Sequence, residues 1–145
     1  MYDLKEINTA RQIAAETGKY VSEDNEQAFL IQWCKREAPQ EARRLFAVPN
    51  GGSRSKSQGA LLKLTGVQPG VPDLFLPVPR YPYHGLWIEM KSTDPKAGPS
   101  GAQKDWLAYL AAQGYKTALC RGFEAARDEI LNYLNPPVQF SPEIV

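Results

Sequence analysis

The stretch of sequence that most constrains the fold is VPDLFLPVPRYPYHGLWIEMKS, residues 71–92. Its apolar runs predict two strands joined by a Pro-rich turn. Asp73 lies beside the first strand, and the second strand contains Glu89 and Lys91. A charge taken out of water costs several kcal/mol unless it is paired or bound to a metal. These three side chains are therefore expected to meet at one site.

The spacing of the charges places them in the same space. Alternate residues of a strand share a face, so Glu89 and Lys91 lie together with Trp87, opposite the aliphatic side chains of LWIEMK. In a hairpin, Asp73 would reach Glu89. Converging carboxylates repel each other unless a cation lies between them, and oxygen ligands favour Mg²⁺ or Mn²⁺. A neighbouring lysine can orient or deprotonate water, which suits phosphodiester hydrolysis, although most ExK patterns on strands are ordinary surface pairs.

Two predicted helices add polar residues to apolar stripes. The first helix is expected over residues 23–37, where Glu26 shares its stripe with three apolar residues of FLIQW. Glu23 lies at the edge of that stripe and is the weaker alternative. The second is expected over 101–113, with Gln103 at the head of its stripe. Acidic and amide side chains are also common in first turns, so helix-start chemistry is the competing interpretation.

Basic residues cluster in and around two loops. The formal net charge is only +1, so a nucleic-acid surface would have to be local. The loop PNGGSRSKSQG combines cationic side chains with accessible backbone amides, which can contact phosphates. A second loop, STDPKAGPSG, is flanked by further lysines. The candidate DNA-binding residues are Asn50, Arg54, Lys56, Lys63, Lys96 and Lys104.

The order of elements predicts an α/β fold in which helices flank a mixed β-sheet. Residues 1–21 are expected to form an N-terminal arm, 22–135 the domain, and 136–145 a Pro-rich C-terminal tail. Strands are predicted at 45–49, in DLFL, at 86–91 and at 116–120. Helices are predicted at 23–37, 57–64, 101–113 and 123–134.

Composition excludes several classes of protein. The chain has 145 residues, with 43% hydrophobic and 23% charged, which fits one domain with its own core. Cys34 and Cys120 lie in apolar segments and are expected in the core, since no spacing suggests a zinc site or a disulfide framework. No segment resembles a signal peptide or a membrane span. We expect a cytoplasmic protein with no membrane partner and no nucleotide cofactor.

Five ordered motifs resemble one known family. VPNGGSRSK, LTGVQPGVPDLFLP, GLWIEMKS, SGAQKDWL and GYKTALCRG are similar to the VRR-NUC domain, a family of the PD-(D/E)xK nuclease superfamily. The similarity covers roughly residues 22–134, and the short form resembles the single-domain, stand-alone members from viruses and bacteria. It implies a restriction-endonuclease-like αβββαβ core. It also implies a cytoplasmic location in a bacterial or virus-infected bacterial cell.

The resemblance further implies an activity and a set of roles. Stand-alone members are Mg²⁺- or Mn²⁺-dependent endonucleases that act as homodimers on branched DNA such as four-way junctions. Apolar residues of the last helix, Ile130, Leu131 and Leu134, are candidates for the dimer surface. The expected metal ligands are Asp73, Glu89, Glu26 and the main-chain carbonyl of Met90, and the expected catalytic residues are Lys91, Glu26 and Gln103, with Glu23 competing for the position of Glu26.

Two other functions stay open from the sequence. A non-catalytic DNA-binding module with this fold would bind DNA without cutting it, although it would not need three costly charges. A protein-interaction domain would use the Pro- and Tyr-rich turn at residues 80–85 and the Pro-rich tail, and it would have no affinity for nucleic acid. Binding and cleavage assays separate these alternatives.

Overall fold

The computed structural model describes residues 4–49 and 55–136 and confirms the mixed α/β fold. The sheet is flanked by helices, as the sequence predicts. In chain order the elements are α1 (Leu4–Glu16), α2 (Glu23–Arg36), a 3-10 turn (Gln40–Arg44), β1 (Phe46–Ala47), α3 (Lys56–Leu64), β2 (Leu74–Leu76), β3 (Leu86–Lys91), α4 (Gly101–Ala112), β4 (Lys116–Arg121) and α5 (Phe123–Leu134).

The four strands are arranged in sequence order, β1-β2-β3-β4. The first three pair antiparallel, so β2 and β3 form the predicted hairpin, with Leu74 opposite Ile88. β4 then pairs parallel to β3. A parallel neighbour requires a crossover, and α4 supplies it. The hairpin register brings Asp73, which directly precedes β2, to the part of β3 that contains Glu89.

The core lies between one face of the sheet and helices α2 and α5. The aliphatic residues of LWIEMK are fully buried there, which confirms the predicted alternation. Leu30 of α2 and Ile130 of α5 are also fully buried. This packing makes β3 a rigid platform for the charged residues that it carries on its other face.

The helices begin at serine caps that the sequence displays. Ser22 accepts a hydrogen bond from the Asn25 N–H at 3.2 Å, and Ser100 accepts one from the Gln103 N–H at 3.2 Å. Each cap satisfies a backbone donor that a helix start leaves without an intrahelical partner. α2 and α4 therefore start at residues 23 and 101, as predicted, and each ends one residue earlier than expected.

The described part of the predicted arm is helical over Leu4–Glu16. α1 places Ile7 in the core with 2% of its surface exposed, and Val21 closes the connection to α2 with 8% exposed. Only residue 136 of the predicted tail lies within the described residues.

The dimer-surface expectation for α5 is wrong for two of its three residues. Ile130 is fully buried and Leu134 is 4% exposed within the chain's own core, because α5 packs on the sheet. Leu131 is 36% exposed. The exposed apolar residues are more prominent on α3, which buries none of its side chains: Leu61 is 59% exposed and Leu64 is 84% exposed.

Both cysteines are buried as free thiols. Burial raises the pKa of Cys34 to about 12, and burial followed by the charge of Glu129 raises the pKa of Cys120 to about 12. Among the described residues, no helix is long and apolar enough to cross a membrane.

Candidate active site

Glu89 is the centre of the candidate site. Only 1% of its surface is exposed, and its Oε1 accepts a hydrogen bond from Gln103 Nε2 at 2.7 Å. Its Oε2 is buried and finds no hydrogen-bond partner among the described residues. Burial, followed by the charge of Asp73, raises the pKa of Glu89 to about 8, although Lys91 acts in the opposite direction. The carboxylate thus sits where its ionised form is costly without a cation.

Asp73 is fixed against the same strand by a backbone hydrogen bond. Its Oδ2 accepts from the Met90 N–H at 2.8 Å, which holds the carboxylate beside Glu89. The loop before it packs closely on α4: Gly70 has φ +89°, and a Cβ there would lie 2.5 Å from the Ala102 carbonyl carbon. Only glycine fits such a close approach with this backbone conformation. The loop therefore sets Asp73 relative to α4 as well as β3.

Lys91 completes the group of charges predicted on β3. Its side chain is 7% exposed, with Nζ 3.4 Å from Glu89 Oε1 and 3.7 Å from Glu23 Oε1. The predicted meeting of Asp73, Glu89 and Lys91 is therefore seen in the structure. Glu23, which belongs to the first turn of α2, joins them through the lysine.

Gln103 reaches Glu89 because a capping box orients it. Its Oε1 accepts from the Ser100 N–H at 2.8 Å, so its amide nitrogen faces away from the helix start and donates to Glu89. The sequence SGAQ at residues 100–103 encodes this arrangement. The residue expected to support the lysine or the scissile phosphate thus contacts the carboxylate directly.

Glu26 is not brought into this group, which corrects the preference for it over Glu23. It is fully buried, and both of its oxygens are bound by Arg11 of α1, with Arg11 Nη2 2.5 Å from Oε1 and 3.0 Å from Oε2. Glu23 lies one turn earlier on α2 and faces Lys91. The helical stripe identified a buried carboxylate correctly, but its partner lies far away in the sequence.

The structure leaves the predicted lysines on the surface. Asn50 and Arg54 lie outside the described residues. Lys96 follows β3 in a loop fixed by hydrogen bonds: Asp94 Oδ1 accepts from the Lys96 N–H at 2.9 Å, and Arg121 donates to the Ala97 carbonyl. The four predicted DNA-binding lysines that the structure describes are exposed: Lys56 and Lys63 on α3, Lys96 in this loop, and Lys104 on α4.

A groove beside the site contains residues that the sequence did not single out. It encloses about 600 Å³ and is lined by Gly18, Lys19, Tyr20, Asp94, Pro95 and Lys96. Tyr20 is 51% exposed. The groove lies between the segment that leads to Glu23 and the loop that follows Lys91. The sequence KY shortly before the α2 cap could have indicated this groove, since Lys and Tyr suit contacts with phosphates and bases.

The donor set fits a hard divalent cation. In the described ranges no three His, Cys, Asp or Glu side chains form a ready metal cluster. Asp73 and Glu89 supply two carboxylates, and the buried Glu89 Oε2, which has no hydrogen-bond partner in the described part of the chain, is the atom that a cation would satisfy. Oxygen ligands of this kind, completed by main-chain carbonyls and water, are typical of Mg²⁺ and Mn²⁺ sites.

Comparisons with known proteins agree on one family. The model of the VRR-NUC domain family matches residues 10–124. A solved structure described as a VRR_NUC domain protein is similar, with a TM-score of 0.69 and 29% identity over 80% of this chain and 90% of that chain. No curated protein matches the chain. This protein therefore belongs to the VRR-NUC domain family, a family of nucleases in the PD-(D/E)xK superfamily.

Proposed function

We propose that this protein is a divalent-metal-dependent DNA endonuclease that hydrolyses phosphodiester bonds in branched DNA such as four-way junctions. Family membership supports a nuclease acting on DNA. The observation that carries the proposal is Glu89, a carboxylate with 1% exposure and a second carboxylate beside it, whose Oε2 has no hydrogen-bond partner among residues 4–49 and 55–136. A buried carboxylate whose ionised form is disfavoured by its surroundings is expected at a site that binds a cation.

Asp73 and Glu89 would hold Mg²⁺ or Mn²⁺ together with the main-chain carbonyl of Met90. A bound divalent ion supplies Lewis acidity toward a phosphoryl oxygen and lowers the pKa of water. The Met90 N–H fixes Asp73, and the Gln103 amide fixes Glu89, so both ligands are oriented by hydrogen bonds before binding. Hydrogen bonds of this kind orient the oxygens of the carboxylates that bind a metal.

Lys91 would orient the attacking water and stabilise negative charge on the phosphate. Its ammonium group lies between Glu89 and Glu23, with Nζ 3.4 Å from Glu89 Oε1 and 3.7 Å from Glu23 Oε1, and these contacts direct it into the site. Glu23, rather than Glu26, would hold the water from the helix side. The proposal gives Glu26 no direct role, because Arg11 binds both of its oxygens.

The DNA would lie across the exposed lysines of α3, α4 and the loop after β3. Lys19 and Tyr20 extend this surface along the groove next to Lys96. Because phosphate contacts dominate affinity, binding should weaken steeply with salt. The formal net charge of +1 implies that this dependence comes from a local surface.

A homodimer would supply the two active sites that symmetric cutting of a junction requires. Leu61 and Leu64 of α3 are exposed apolar side chains on a helix that buries none of its residues, and we place the dimer contact there. A Leu61→Asp/Leu64→Asp variant should be monomeric in light scattering. A Leu131→Asp variant, which changes an exposed residue of α5, should stay dimeric. A wild-type monomer would overturn this part of the proposal.

The deciding experiment is cleavage of labelled four-way junction and plain duplex DNA with Mg²⁺, Mn²⁺ or EDTA. Wild type should cut in either metal and not in EDTA. Lys91→Ala should lose about 10²–10³-fold in rate, the usual effect of removing one transition-state contact. Lys35→Ala, at an exposed position in the last turn of α2, is the matched control and should keep its activity.

The other functions predict different results in the same experiment. Binding without cutting in every metal would favour the DNA-binding module. The absence of any gel shift in EDTA, together with the absence of cleavage, would favour the protein-interaction domain. Equal cutting of junction and duplex would retain the nuclease and remove the preference for branched DNA.

A further inference from the structure

Arg11 forms a two-carboxylate clamp that the proposed chemistry does not use. Its guanidinium binds Glu26 of α2, and it also binds Glu124 of α5 through Nη1–Oε1 at 2.5 Å and Nη2–Oε2 at 2.7 Å. One side chain of α1 therefore joins three helices at a single point. Glu26 is fully buried, and the Arg11 side chain is 25% exposed.

The electrostatics of the clamp indicate that it is held tightly. The hydrogen bond to Glu124 is the largest cause that raises the pKa of Arg11, and the hydrogen bond from Arg11 lowers the pKa of Glu124. Planar guanidinium–carboxylate pairs fix geometry as well as charge. Glu124 also lies in the first turn of α5, where a carboxylate is favoured by the helix dipole.

The clamp touches the backbone that holds Lys91. A Cβ built at Gly122 would lie 3.4 Å from Arg11 Nη2 and 3.5 Å from Glu26 Oε1, so Gly122 packs directly on the ion pair. The Gly122 N–H in turn donates to the Lys91 carbonyl at 2.9 Å. One residue therefore separates the clamp from the main chain of the proposed catalytic lysine.

The clamp also acts on the other partner of that lysine. Glu26 and Glu23 are three residues apart on α2, so they share a face of the helix. The contacts of Glu26 with Arg11 therefore fix the rotation of α2 about its axis and the position of its first turn. That turn carries Glu23, whose carboxylate lies 3.7 Å from Lys91 Nζ. Arg11 is thus connected to Lys91 through Gly122, and to Glu23 through Glu26 and the first turn of α2.

We propose that Arg11 is a positioning residue, which through Glu26, Glu124 and Gly122 fixes Lys91 and Glu23 for catalysis. This inference rests on the proposed nuclease function. It makes α1 part of the catalytic unit rather than an appended arm. The clamp does not touch the reacting atoms, so its effect should appear in the turnover rate and not in the affinity for DNA.

Two variants separate positioning from simple stabilisation. Arg11→Met leaves a buried carboxylate without a partner, so both its melting temperature and its cleavage rate should fall. Arg11→Met/Glu26→Leu replaces the buried pair with apolar side chains, an exchange that is often neutral for stability. We expect the double variant to recover its melting temperature, while kcat stays about 10-fold below wild type with KM unchanged. Recovery of kcat together with stability would overturn the proposal.

Hydrogen exchange gives a measurement that does not depend on nuclease activity. Arg11→Lys keeps the positive charge beside Glu26 but loses the planar fork. The Gly122 amide should exchange about 10-fold faster in this variant, whereas the amide of Ile130 in the middle of α5 should be unchanged. Unchanged exchange at Gly122 would overturn the positioning role. A wild-type protein that cuts no DNA would refute the proposed function and leave this measurement valid.

The surface pair Arg127–Asp128 provides a matched control. These side chains are joined at 3.1 Å on α5, and Asp128 is 60% exposed. Asp128→Asn breaks this surface ion pair and leaves Arg127, whose charge acts on Glu124, in place. It should leave kcat and Gly122 exchange unchanged. An equal loss of kcat in this control would show that the Arg11 effect is not specific.

Discussion

Replacing Glu89 with glutamine should stabilise the metal-free protein at neutral pH. The change keeps the shape of the side chain and removes the buried charge. The amide oxygen can still accept from Gln103, as Oε1 of Glu89 does at 2.7 Å. The amide nitrogen takes the place of Oε2, the buried atom without a partner among the described residues, and can donate toward the carboxylate of Asp73.

The magnitude follows from the pKa of Glu89, which burial raises from 4.5 to about 8. Stability falls with pH wherever the folded state binds more protons than the unfolded state. The contribution of Glu89 is therefore complete below pH 4.5 and is lost as the pH rises toward 8. At about 1.4 kcal/mol for each pH unit, wild type loses roughly 3 kcal/mol by pH 7 and roughly 5 kcal/mol above pH 8.

Urea unfolding in EDTA between about pH 5 and pH 8 measures this loss. The wild-type midpoint should fall by roughly 1–3 M across this range, since urea m-values are about 1–3 kcal/mol/M. Glu89→Gln should be nearly flat and should exceed wild type at the upper end. Glu37→Gln makes the same chemical change at an exposed position and should follow wild type. Parallel curves of unfolding free energy against pH for wild type and Glu89→Gln would refute the argument that ionised, buried Glu89 destabilises the metal-free protein.

Three further predictions follow from the site and its surroundings. Mg²⁺ at 100 times its Kd should stabilise wild type by about 2.7 kcal/mol, and Asp73→Asn should lose this stabilisation in a thermal melt. Gly70→Ala should lower the free energy of unfolding by about 1–3 kcal/mol more than Gly66→Ala, because both glycines have positive φ but only Gly70 meets the Ala102 backbone; equal losses would refute the steric explanation. Lys96→Ala should reduce the slope of log Kobs against log salt by about 0.9 if it contacts one duplex phosphate, and an unchanged slope would remove it from the DNA surface.

The sequence could predict those parts of the site that depend on local signals. Strand alternation and a hairpin predict the meeting of Asp73, Glu89 and Lys91, and a place at the head of a helical stripe predicts Gln103. The predicted starts of α2 and α4 agree with the structure, where Ser22 and Ser100 cap these helices. Each of these signals is contained within a short segment, so no knowledge of the tertiary structure was required.

The choice between Glu23 and Glu26 could not be made in that way. Both carboxylates lie in the first turn of α2, and the stripe favours Glu26 because it is buried. Its burial is explained by Arg11, fifteen residues earlier, whose helix packs there only in the folded chain. The groove beside Lys96 is likewise formed by two segments that are distant in sequence. The periodicity of one segment does not show which residues distant in the sequence will contact it in the folded chain.

The two buried cysteines allow local opening of the protein to be measured by thiol labelling. Cys34 lies on α2, the helix that carries Glu23, and Cys120 lies on β4 opposite Met90, next to Lys91. The thiolate is the reactive form, and a pKa of about 12 leaves very little of it in the closed state. Labelling by a thiol reagent therefore proceeds through openings that expose each residue. Different rates at the two positions would show that the helix side and the strand side of the Glu23–Lys91 contact separate before the domain unfolds, and equal rates would show that they open as one unit.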